Sequence, residues 1–155
     1  MSRPLAALAT SCVGLLLAAA NSLAITNTWT GAVSSDWLNA TNWSPQQVPT
    51  ASDHVIINSG IVTVPANANF SILDLNGGAL YGSWSVAGSR VVNWTAGQIG
   101  SGIAGDSLTV AAGGILNVNS SGFVSQNNLL TNSSDLVTAI RQNPKKYLTI
   151  HLKLF

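Results

Sequence analysis

An all-β fold of the β-solenoid kind is what this sequence predicts, and three observations predict it. A spaced apolar pattern containing a glycine occurs four times in 155 residues. No stretch between Trp29 and Gly122 keeps a 3.6-residue apolar period, because Gly, Pro and β-branched residues interrupt every window. The chain is only 7% charged yet rich in Val, Ile, Thr and Trp, which separates it from disordered sequences of similarly low charge.

The repeated pattern is apolar-x-apolar-x-x-Gly-x-apolar. It reads Val55-x-Ile57-x-x-Gly60-x-Val62, Leu73-x-Leu75-x-x-Gly78-x-Leu80, Val92-x-Trp94-x-x-Gly97-x-Ile99 and Leu108-x-Val110-x-x-Gly113-x-Ile115. The glycines are 18, 19 and 16 residues apart. Each copy reads as a short alternating strand, then a glycine free to take positive φ, then a return of the apolar face. Second alternating runs, Val62-x-Val64, Trp84-x-Val86 and Leu116-x-Val118, give each copy at least two strands. No single copy can bury its apolar face. Stacking about four Gly-punctuated rungs over residues 55–131, with Gly60, Gly78, Gly97 and Gly113 as structural repeat glycines, would build one narrow core.

The ends read differently. Arg3 precedes an apolar run from Leu5 to Ala20, and Ser22 and Ala24 place small residues where a signal peptidase cuts, so residues 1–24 are expected to be a signal peptide cleaved after Ala24. A membrane span needs roughly 20 apolar residues; no span is expected after cleavage. Cys12, the single cysteine, would leave with the leader, which removes disulfides and thiolate metal sites from the mature chain. Residues 132–155 form an atypical tail, read as truncated or mis-read. They hold a candidate short helix over Leu136, Val137 and Ile140 and a candidate strand over Leu148 to Leu154.

Residues 25–54 are a Trp-rich segment expected to cap the first rung. Trp29, Trp37 and Trp43 are the candidate carbohydrate-binding residues if their faces are exposed, and a cover for the open end of the core if they are not.

The run Trp29-Thr30-Gly31, Asp36-Trp37, Asn42-Trp43-Ser44, Val48-Pro49, Asp53-x-Val55-x-Ile57 and Gly60, followed by Gly-punctuated repeats, resembles the amino-terminal part of bacterial secreted autotransporter-associated, adhesin-like β-repeat surface proteins. The resemblance covers about Thr28 to Gly122. It implies a right-handed β-helix at the cell surface and supplies no catalytic residues.

The chemistry-bearing side chains are sparse. Asp36, Asp53, Asp74 and Asp106 face a lone Arg90 between Ile25 and Thr131, and they read as solvated turn residues. Asp53 and Asp106 share a phase in the pattern but are separated by two intervening rungs, too far to act as a catalytic pair. His54 reads as a surface histidine with no second ligand nearby, so neither a metal nor a cofactor is expected. Clustered Lys and Arg are confined to the last fifteen positions, which argues against nucleic acid. Six Asn-x-Ser/Thr sequons, beginning at Asn39, Asn42, Asn69, Asn93, Asn119 and Asn132, arise readily in so Asn-rich a chain. The expectation is a secreted or cell-surface structural and adhesive protein without catalytic activity, contacting surface or matrix glycans or its own copies; a carbohydrate-binding module is the alternative.

Overall fold

A computed structural model of the chain describes residues 23–119, 124–126, 129–132 and 152–153. In chain order its strands are β1 (Thr26–Trp29), β2 (Trp43–Ser44), β3 (His54–Ile57), β4 (Ile61–Thr63), β5 (Ile72–Leu75), β6 (Ala79–Tyr81) and β7 (Ser83–Val86). They continue with β8 (Val91–Trp94), β9 (Gly97–Ile99), β10 (Ser107–Val110), β11 (Ile115–Val118), β12 (Val124–Gln126), β13 (Leu129–Asn132) and β14 (Leu152–Lys153). A single 3-10 turn, Ala40–Asn42, is the helical element of the described residues.

The strands form three sheets, ordered β11-β8-β5-β3-β1-β2, β14-β13-β10-β7 and β12-β9-β6-β4. All pairs are parallel except β1 with β2. Period-2 alternation sets the register, since a one-residue slip would turn every apolar side chain outward. Val55, Leu73, Val92 and Leu116 therefore fall in one inward column, and Ile57, Leu75, Trp94 and Val118 in the next. Val62, Leu80 and Ile99 from the third sheet meet Trp84, Val86, Leu108 and Val110 from the second in the same buried cluster. Each such side chain contributes about 1.5–3 kcal/mol by leaving water.

Three corrections to the expected architecture follow. The right-handed β-solenoid of about four Gly-punctuated rungs gives way to three separate sheets, parallel and antiparallel, none of them closed. The fourth glycine motif is out of phase: its strand, β10, pairs with β7 in another sheet, while β11 is the partner of β8. The glycines divide accordingly. A Cβ on Gly78 would sit 2.5 Å from the Gly60 carbonyl oxygen and one on Gly97 2.5 Å from that of Gly78, whereas Gly113 lies against Gly88. Recurrence in the large sheet is thus 18, 19 and then 24 residues, read from His54, Ile72, Val91 and Ile115.

The Trp-rich segment is integral to the sheets. Its β1 pairs with β3, and its Ser35–Trp37 stretch runs beside β4 through hydrogen bonds between the Thr63 amide and Ser35 and between the Trp37 amide and Thr63. The leader expected over residues 1–24 lies outside the described residues except for Leu23 and Ala24, and so does the tail helix. Of the tail strand, Leu152–Lys153 is described, in register with Leu130 and Thr131. No helix of the described residues is long and apolar enough to cross a membrane.

Candidate functional site

The outward face of the six-stranded sheet carries its polar chemistry in columns. Because β3, β5, β8 and β11 share one register, Ile56, Asp74, Asn93 and Asn117 line up across the strands, flanked on one side by His54, Ile72, Val91 and Ile115. On the other side, just past the strand ends, lie Asn58, Asn76, Thr95 and Asn119.

These side chains bond to one another from strand to strand. Asn117 Nδ2 donates to Asn93 Oδ1 at 2.9 Å, and Asn93 Nδ2 donates to Asp74 Oδ1 at 2.7 Å. The other Asp74 oxygen lies 2.8 Å from His54 Nε2; since a carboxylate accepts, Nε2 carries the proton. In the outer column, Thr95 Oγ1 donates to Asn76 Oδ1 at 2.8 Å, and Asn76 Nδ2 donates to Asn58 Oδ1 at 3.1 Å. Between the two columns runs an open groove of about 490 Å³, lined by Asp74, Asn76, Asn93, Thr95, Asn117 and Asn119 with Val118. It presents amides, a hydroxyl and one carboxylate, so it suits a neutral, polyhydroxylated partner better than an anionic one.

The three candidate tryptophans are not part of any such surface. Trp29, Trp37 and Trp43 are 6%, 0% and 1% exposed. Trp43 meets both of the others edge-to-face at ring-centroid distances of 4.8 Å, and its Nε1 donates to the Trp37 carbonyl. Their faces are spent on each other and on Phe70, which leaves none for a sugar ring. Among the repeat glycines, Gly78, Gly97 and Gly113 serve close backbone approach, and Gly60 leaves room for the Trp29 indole.

Two polar residues of the entry segment turn out to be structural anchors. Asn42 is fully buried and makes four bonds: Oδ1 accepts from the Val33 and Ser34 amides, and Nδ2 donates to Ser34 Oγ and the Asp36 carbonyl. Its sequon is therefore closed in the folded protein. Asp53, expected in solvent, is 0% exposed. Its Oδ1 accepts from the Ile25 amide at 3.0 Å, and its Oδ2 accepts from the Thr50 amide and hydroxyl at 2.7 and 2.8 Å. Burial alone pushes this carboxyl up, but the hydrogen bonds from Ile25 and Thr50 outweigh it and hold it below the usual carboxylate range.

Asp106 serves the sheet that holds β7 and β10 in the same way, bridging the Gly82 and Ser101 amides. The Ser101 hydroxyl and those amides hold its carboxyl low against desolvation. The shared phase of Asp53 and Asp106 thus marks a common structural role, a carboxylate just ahead of a strand that gathers loop amides. Asp36 accepts from the Leu38 amide in a local turn, as its type predicts. What the sequence could not offer was the pairing of His54 with Asp74, twenty residues apart and joined only through strand register.

Among the described residues, no three His, Cys, Asp or Glu side chains converge where they could hold a metal. Neither a curated protein nor a solved structure matches the chain. A family model described as a domain of unknown function, DUF8693, matches residues 28–149, which takes in the entry segment and every strand of the six-stranded sheet from Thr28 onward. The chain belongs to that DUF8693 family.

Proposed function

We propose that this is a secreted or cell-surface structural and adhesive protein without catalytic activity, and that it makes contact through the outward face of its six-stranded sheet. The observation that carries the reading is the pair of in-register polar columns with the groove between them. Rigid strands hold these side chains at about 4.8 Å spacing, so an extended partner can be met at several points without ordering a loop. The amides and hydroxyl favour neutral surface or matrix glycans, and the leader-like first 24 residues and the resemblance to secreted surface proteins favour an extracellular setting.

Hydrolysis of a glycan is disfavoured by the same geometry. Asp74 is the groove's one carboxyl group, and both its oxygens are engaged, whereas acid–base cleavage uses two carboxyl groups flanking the scissile bond. The test is adhesion of beads coated with the full chain to cells and to immobilised glycans. Replacing Asn76, Asn93 and Asn117 together by Ala should abolish most of the retention while the protein stays folded and still unfolds cooperatively on heating. Retention unchanged by that replacement would overturn the reading, as would release of reducing sugar that depends on Asp74.

A further inference from the structure

Asp53 is a fully buried carboxylate whose hydrogen-bond donors, the Ile25 amide and the Thr50 amide and hydroxyl, are all neutral. Buried carboxylates ordinarily meet a cation. Here one donor is the backbone nitrogen of Ile25, 3.0 Å from Oδ1. Ile25 is also the residue that follows the small-x-small sequence Ser22-Leu23-Ala24 at the end of the apolar leader.

We propose that proteolytic removal of residues 1–24 turns the Ile25 nitrogen into an α-ammonium that forms a buried ion pair with Asp53, so that maturation completes the fold. Water is the co-reactant. Its oxygen bonds to the Ala24 carbonyl carbon as the Ala24–Ile25 C–N bond breaks, Ala24 leaves as a carboxylate, and the Ile25 nitrogen takes up the protons to become an ammonium. The cut bond is reachable, because Leu23 is 83% exposed and Ala24 is exposed beside it.

The new terminus needs no search for its partner. The His54 amide donates to the Ile25 carbonyl at 2.9 Å, and Thr26 is in register with His54, so Ile25 is held at the start of β1 by contacts in which the leader takes no part. Cleavage replaces a neutral amide donor by a charged one at an unchanged position, which makes the bond both shorter in reach and stronger. This inference is independent of the adhesive reading and touches no residue of the groove.

The full chain, secreted from a host that processes its leader, should yield protein whose first residue by terminal sequencing and intact mass is Ile25. Its α-amine should resist an amine-reactive label in the folded state and react on unfolding. Acetylating that amine, which keeps an N–H but removes the charge, should lower Tm by about 5 °C; in the Asp53→Asn variant the same acetylation should leave Tm unchanged. A terminus mapped elsewhere, an amine that labels freely in the folded protein, or an acetylation shift equal in both proteins would each overturn the proposal. Should Asp53→Asn fail to fold, the labelling of the unaltered protein decides.

Discussion

The entry segment and the repeated strands hold together by different means, and they should fail differently. From β3 to β11 the fold is largely distributed: apolar columns recur across parallel strands, and beside them the Asp106 carboxylate gathers the Gly82 and Ser101 amides. Residues 25–53 are concentrated instead: Asn42 and Asp53 between them satisfy the amides of Ile25, Val33, Ser34 and Thr50 around a packed trio of tryptophans. A distributed structure loses stability in proportion to the volume removed. A concentrated one loses it wherever a hub is cut.

The largest effect is therefore expected at a hub. Asn42→Ala removes four bonds and takes the acceptor from the Val33 and Ser34 amides, at a cost of about 4 kcal/mol in urea unfolding; a loss under about 1 kcal/mol would erase the distinction between the regions. In the repeated part, Leu73→Ala should cost about 3 kcal/mol through transfer and cavity effects, measured the same way. Gly78→Ala should cost about 3 kcal/mol and Gly88→Ala about 1 kcal/mol. Both have positive φ, but a Cβ on Gly78 meets the Gly60 backbone and one on Gly88 meets nothing within 4 Å. Equal costs would mean that the close stacking at Gly60, Gly78 and Gly97 carries no load.

Acid should loosen the protein through its loop carboxylates. Asp53 and Asp106 are held below the ordinary value when folded, so the unfolded chain takes up protons first as pH falls. Their stabilisation is complete above about pH 5 and is lost as pH drops through the folded values. Thermal melts should show Tm falling over that window, and a flatter fall in Asp106→Asn. The smallest effect is expected at Asn93→Ala, under about 1 kcal/mol because the ladder is half-exposed, with bead retention moving far more than Tm.

How much was legible follows from the same contrast. Alternation fixed the inward residues of β3, β5 and β8 because burial on one face leaves a period-2 trace. It misplaced the fourth motif because the pattern apolar-x-apolar-x-x-Gly describes any strand followed by a tight turn, and β10 satisfies it as well as β8 does while feeding a different sheet. Asn42 and Asp53 were hidden for a chemical reason. Polar residues in a Gly- and Ser-rich stretch usually face water, and what reverses that here is a set of amide donors gathered from positions up to 28 residues away. The polar columns were invisible for want of register, which decides who stands beside whom and leaves no local mark.

The ladder from Asn117 to Asp74 also has a heading. Each amide hands its hydrogen toward β5, so the row ends on an anion at one extremity and on a carbonyl-bearing side chain at the other. A linear molecule laid along it and then turned end for end would meet its complements in reverse order, which makes the two orientations inequivalent. A surface built of such rows is polarised like a ratchet rather than patterned like a tile.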